Sequence, residues 1–323
     1  MSTPSIATAA LVLTFGFGYS AEAQTFEGPG SRAQGMGAFV AVVNDASAVY
    51  WNPAALASGS YFSLIFDRTA GQTDEGEARA GSRSSWLLAL TMPAAGLSYY
   101  RLRSTVVTPV TEPTLGPVSH HVESLVTHHA GATLVQSVTD WLAVGATLKL
   151  VRGLASEGQA AVPAEDLLDD WDLTGVATNR FDVDVGVMAT GNLVRGGVTF
   201  RNLTRPGFRT PLDTTLYLDR QARAGVALLL TSRWTAAADL DLTPNRGPFG
   251  DVRALALGTE GRLTARATVR SGVQLNTAGD DRMPTASLGG SYAVFGSLLV
   301  DAHFSTGSDR GFQSWGIAGR VVF

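Results

Sequence analysis

The sequence predicts an all-β protein, a transmembrane antiparallel β-barrel of about fourteen strands, and three observations predict it. Short segments alternate between apolar and polar residues, no run of about eighteen apolar residues follows the N-terminus, and the links between segments alternate between short and long. Only helices and closed barrels satisfy every backbone N–H and C=O in hydrocarbon, so a chain without an apolar helix must enter the membrane as strands.

Taken in order, Ile6 to Phe17 is nearly all apolar and leads to Ala21-Glu22-Ala23, a small-x-small cleavage site with Gln24 next. Residues 1–23 read as a signal peptide, although no Lys or Arg precedes Ile6. The apolar stretch of roughly twelve residues is too short to span a core that needs about twenty. Residues 24–60 neither alternate nor form an amphipathic pattern, and residues 61–323 carry the barrel pattern.

Strands are expected near 61–68, 84–92, 95–103, 122–136, 141–153, 181–190, 193–202, 220–231, 234–242, 252–260, 263–274, 285–293, 296–305 and 312–323. The count is even, as a bacterial barrel requires. Short links lie at Pro93-Ala94, Ser137 to Asp140, Gly191-Asn192, Ser232-Arg233, Gly261-Arg262 and Val294-Phe295, with long ones between, including 69–83, 104–121 and 154–180. Short turns then share a periplasmic rim with both termini, and long loops face outside.

A soluble β-sandwich also alternates, with its apolar face inward, so alternation alone leaves the orientation open. Lipid settles the expectation for charge, because an Arg facing the bilayer midplane costs roughly 2 to 4 kcal/mol. Arg195, Arg201, Arg223, Arg266 and Arg270 are therefore expected to face the lumen. Lys149, Asp182, Asp184, Asp239, Asp241, Asp301 and His303 join them, giving a lumen of mixed sign.

The segment from Gly30 to Ala57 contains Gly35-Met36-Gly37, Asp45-Ala46-Ser47-Ala48 and Asn52-Pro53-Ala54. Gly35 and Gly37 permit close approach or positive φ, Asp45 and Ser47 can cap a helical turn, and Pro53 pushes Asn52 out of the helical region. A compact plug suits these residues better than a strand. The ordered series resembles the N-terminal motif of the FadL long-chain fatty acid transporter superfamily, with its shorter PorV/PorQ-like relatives. The alternation Trp315, Ile317, Gly319, Val321, Phe323 also resembles the C-terminal signal of outer-membrane barrels.

The resemblance implies a fourteen-stranded barrel of the bacterial outer membrane with an N-terminal plug in the lumen, bound by membrane lipid and taking a hydrophobic small-molecule ligand. It further implies a kink in the third strand, for which Gly96 is the candidate, and lateral exit of the ligand there. The short length favours the PorV/PorQ-like subgroup, whose members dock type IX secreted proteins, so secretion-system partners are the alternative to hydrophobic transport.

Other chemistry is set aside on the residues. A net charge of −4 and scattered charges give no footprint for nucleic acid. With no cysteine, thiolate metal sites and thiol nucleophiles are excluded. His120, His121, His128 and His129 form two pairs, but neighbours on one strand point to opposite faces, so His128 and His129 cannot share an ion. Asp301 and His303 share a face without a nucleophile motif, and the acidic run Glu165, Asp166, Asp169, Asp170, Asp172 matches no EF-hand. No cofactor, metal or enzymatic activity is expected.

Overall fold

A computed structural model describes residues 28–74, 80–110, 119–160, 168, 175–247, 250–278, 282–307 and 311–323. The signal peptide, Gln24 and the acidic run at 165–172 lie outside the described residues. Two short helices come first, α1 (Ser31–Met36) and α2 (Ala48–Trp51), then a 3-10 turn at Pro53–Ser58. The strands are β1 (Ser63–Asp74), β2 (Ala80–Met92), β3 (Ala95–Pro109), β4 (His120–Ser137), β5 (Leu142–Ala160), β6 (Val176–Thr190), β7 (Val194–Arg201), β8 (Gly207–Arg209) and β9 (Thr215–Tyr217). They continue as β10 (Gln221–Leu229), β11 (Trp234–Asp241), β12 (Asn245–Gly247), β13 (Gly250–Val252), β14 (Ala254–Arg262), β15 (Ala267–Asn276), β16 (Thr285–Ala293), β17 (Leu298–Gly307) and β18 (Gln313–Val322).

Fourteen of these strands form a closed antiparallel barrel, and β8–β9 and β12–β13 are separate hairpins. Closure joins β1 to β18 from Ser63 opposite Val322 to Gln72 opposite Gln313. Phe62 and Phe323 extend that seam by exchanging backbone hydrogen bonds of 3.2 and 3.0 Å.

The outer face decides the orientation that alternation left open. Phe66, Leu88, Leu97, Leu134, Leu148, Leu257, Val273, Leu288 and Ile317 are exposed, whereas their strand neighbours Asp67, Thr133, Thr147, Lys149 and Ala256 are buried. A soluble sandwich would turn these apolar side chains inward. An apolar band outside a closed, polar-lined sheet is a membrane-spanning barrel. Inside, hydroxyls pair across strands, Thr69 with Ser85 at 2.5 Å, Thr133 with Thr147 at 2.8 Å and Ser287 with Ser305 at 2.9 Å.

Strands run past the limits expected from alternation. β1 reaches Asp74, β3 reaches Pro109 and β5 reaches Ala160, so the links after them are shorter than expected. Ladder bonds continue where both faces become polar, as between Gly71 and Arg83. The wall is uneven, with 18 residues in β4 and 19 in β5 against 8 in β7. Above Asp184, β6 pairs with β5 alone, and the chain after Arg201 turns back to place Phe208 on the inner face of β5 against Val151 and Ala155.

One expected strand start is corrected. β15 begins at Ala267, not Leu263, because the Thr264 hydroxyl accepts from the N–H of Arg266 at 3.1 Å and of Ala267 at 2.9 Å and closes a turn. Period two runs through that turn by coincidence of composition.

Candidate functional site in the barrel lumen

Residues 28–59 lie inside the barrel, buried among wall side chains. The helix α1 packs on β1 and β14 to β18, and the 3-10 turn packs on β4, β5 and β6 across the lumen. Gly37 ends α1 at φ +69°, a left-handed conformation in which its N–H reaches Ala33 O at 2.9 Å. Gly35 serves close approach, since a Cβ there would stand 3.1 Å from the Gly289 Cα.

Asp45 holds the next turn by accepting from the Ser47 N–H at 2.9 Å and hydroxyl at 2.6 Å. Ser47 sits at the N-cap of α2, yet no side chain caps that helix, so in place of the capping expected of the pair Asp45 closes a turn onto Ser47. Asn52 is extended, at φ −156°, and its side-chain oxygen accepts from the Ala54 N–H at 3.2 Å. Its amide donates to Val40 O at 3.0 Å and to Val187 O of β6 at 3.4 Å, which ties both halves of the segment to the wall. Pro53 and Ala54 lie against Gly145 of β5.

Charged wall residues meet this segment directly. Asp67 accepts from the N–H groups of Gly30 and Ser31 at 2.9 and 2.7 Å, and Asp239 from those of Phe39 and Val40 at 2.8 and 3.1 Å. Arg201 stacks over Tyr50 at 3.6 Å and Arg223 over Phe39 at 4.6 Å from the ring centroid. Arg223 also binds Asp241 at 2.5 Å. The Lys149 ammonium lies 2.8 Å from Asp182 and 2.7 Å from Asp184, both of which anchor the returning chain at Thr204 and Asn202.

Six residues close a ring of alternating charge. Arg32 binds Asp45 at 3.1 Å, Asp45 faces Arg320 at 3.4 Å, and Arg320 binds Asp301 at 3.1 Å. Asp301 meets Arg270 at 3.3 Å, Arg270 binds Glu260 at 2.6 Å, and Glu260 returns to Arg32 at 2.9 Å. Ser291 also donates to Asp301. Burial alone would raise the Asp45 carboxyl, but Arg320, Arg32 and the Ser47 hydrogen bonds hold it well below the usual carboxylate range.

The ring joins Asp45, Arg270 and Asp301, singled out in the sequence, to Arg32, Glu260 and Arg320, which were not. Arg320 was legible, since it lies between the outward Gly319 and Val321 on the last strand. His303 lies near Asp301 on the inner face, packed against Gly316, while the carboxylate is engaged by arginines. Arg195 is half-buried near the short-turn rim on the Thr199 side of β7.

Two expectations are corrected. Arg266 is exposed in the turn before β15 and does not face the lumen. No gap opens in the wall at Gly96, for the ladder passes through it unbroken, opposite Thr91 on one side and Thr133 on the other. A Cβ there would stand 3.1 Å from Val49 and 3.4 Å from Leu56, so the glycine leaves room for the lumenal segment.

A cavity of about 50 Å³ lies between the segment and β1 to β3, lined by Gln34, Thr69, Arg83, Ser85 and Ser314. A recess of about 550 Å³ opens at the short-turn rim beside Leu193, Leu230, Arg233 and Glu260.

The family described as "F plasmid transfer operon, TraF, protein" matches residues 124–241, which are wall strands and their links and exclude the lumenal segment. No curated protein matches the sequence. Among solved structures, the CymD monoaromatic hydrocarbon channel aligns with a TM-score of 0.66 at 16% identity, over 93% of this chain and 99% of that one. The Ralstonia pickettii toluene transporter TbuX aligns at 0.63 and 14% identity, over 93% and 99%. A Pseudomonas aeruginosa FadL homologue aligns at 0.63 and 13%, over 91% and 98%. These likenesses lend no support to the secretion-docking alternative. The chain has the fourteen-stranded fold of the FadL-type outer-membrane barrels.

Proposed function

We propose that the chain is a non-enzymatic barrel of the bacterial outer membrane that passes small hydrophobic molecules, hydrocarbon-like or fatty-acid-like, with residues 24–60 as its plug. The likeness in fold to a monoaromatic hydrocarbon channel and a toluene transporter, over nearly the whole of each chain, carries this reading.

Two features of the interior support it. The lumenal segment lies in the bore, buried against β14 to β18 on one side and β4 to β6 on the other, which suits a gated path better than a wide water-filled pore. Toward the long-loop rim, Val151, Ala155, Phe208, Leu216 and Leu218 form a buried apolar cluster on the inner wall. Opening that cluster would offer an apolar solute about 25 cal/mol for each Å² it then buries.

Uptake decides the matter. Cells producing the protein should take up radiolabelled toluene or oleate several times faster than cells with an empty vector, while uptake of a hydrophilic sugar is unchanged. Equal hydrocarbon uptake, with the barrel folded by its heat-modifiable gel mobility, overturns the reading.

A further inference from the structure

We propose that His121 and Glu123 of β4 and Glu157 of β5 form a binding site for a zinc-class divalent cation on the lumenal wall near the long-loop rim. His121 and Glu123 share the face of β4 that carries the buried Thr127 and His129, and Glu157 is the direct ladder partner of Glu123. The side chains are partly covered, at 26%, 16% and 8% exposure.

Two carboxylates directly opposite on neighbouring strands repel each other. Among the described residues neither glutamate pairs with a lysine or arginine, and the basic group they meet is the His121 imidazole. Its Nε2 lies 3.3 Å from Glu157 Oε1 and 3.5 Å from Glu123 Oε1, and the three donor atoms lie within 4.8 Å of one another. Ligands bound tetrahedrally at 2.0 to 2.2 Å from zinc stand about 3.3 to 3.6 Å apart, so the His–Glu separations are those of a metal cradle.

The Thr210 hydroxyl donates to Glu157 Oε2 at 2.6 Å, which orients the carboxylate and leaves Oε1 for the ion, in the manner of outer-shell support. One imidazole nitrogen and two carboxylate oxygens favour zinc over calcium or magnesium, which take more oxygen ligands. The fourth position faces the lumen and would hold water or an anionic solute. His120 and, further down the strand, His128 lie on the other face of β4, so of each tandem pair at most one member faces the lumen and His121 alone is a ligand.

The test is calorimetric titration of the EDTA-treated, detergent-solubilised barrel with ZnCl2, with folding checked for each variant by heat-modifiable mobility. One ion should bind per chain. His121→Ala and Glu157→Gln should abolish saturable binding, Thr210→Val should weaken it about tenfold, and His128→Ala should leave it unchanged. Absent saturable binding in the wild type, wild-type affinity in Glu157→Gln, or tighter binding of Ca²⁺ than Zn²⁺ would each overturn the proposal.

Discussion

The two arcs of wall that hold the lumenal segment do so by different chemistry. On the side of β14 to β18, Arg32 and Asp45 complete a ring of charge with Glu260, Arg270, Asp301 and Arg320. On the side of β4 to β6, Pro53 and Ala54 fit against bare backbone at Gly145, and Asn52 reaches Val187 O through its side-chain amide. A charged arc depends on every partner being present and ionised, because a buried ion left without its partner cannot recover its hydration. A shaped arc depends on volume and on neutral hydrogen bonds. The same segment is thus held by one contact that protonation can loosen and one that it cannot.

The largest effect should come from removing a single member of the ring. Arg320→Met leaves Asp45 with Arg32 and Asp301 with Arg270, so two buried carboxylates each lose a cation. Breaking such a network costs about 3 to 5 kcal/mol. Because the chain has no cysteine, an Ala38→Cys probe, at 0% exposure, reports whether the segment leaves its seat. Maleimide should label that thiol far faster in Arg320→Met than in the parent, and unchanged labelling would mean that the ring does not hold the segment.

A smaller effect is expected on the shaped arc. In Gly145→Val the added Cβ would stand 2.6 Å from the backbone of Pro53 and Ala54, which no rotamer change relieves. Overpacking of this kind costs about 1 to 3 kcal/mol. Val187→Ala, on the outer face of β6, serves as the control. Labelling at Ala38→Cys should rise less than in Arg320→Met, while a probe at Ala55→Cys should show the larger change. The opposite ranking would erase the distinction between the arcs.

The wall was far more legible in the sequence than the contacts it makes. Each strand announced itself because lipid forces the outer face to be apolar, and Leu97, Leu257 or Ile317 could be placed without any knowledge of the fold. Strand ends were not legible where the chain leaves the bilayer, since polar residues on both faces of Thr69 to Gln72 erase the period while the ladder goes on. Thr264 ended a strand through a side-chain hydrogen bond that hydropathy does not register. In the site, the glycines and Asn52 marked the segment itself. Its partners were hidden because Asp45 meets Arg320, and Glu123 meets Glu157, only after register is fixed across the sheet.

The smallest effect is the one that acid should produce, and its sign follows from Asp45. The folded carboxyl is held below its ordinary value of 3.8 by Arg320 and Arg32 against the pull of burial. The stabilisation is present in full above the unfolded value and is lost as pH falls from there through the folded value. Down to pH 3 the unfolded carboxyl takes up its proton while the folded one keeps its charge, so about 1 kcal/mol is lost at the slope of about 1.4 kcal/mol per pH unit. Labelling at Ala38→Cys, by a thiol reagent active in acid, should therefore rise severalfold between pH 5 and pH 3. In Asp45→Asn that rise should shrink, with faster labelling already at pH 7. A rise of the same size in Asp45→Asn would assign the acid response to another group. An equal response at Ala55→Cys, on the shaped arc, would show that acid frees the segment as one body and not from its charged side first.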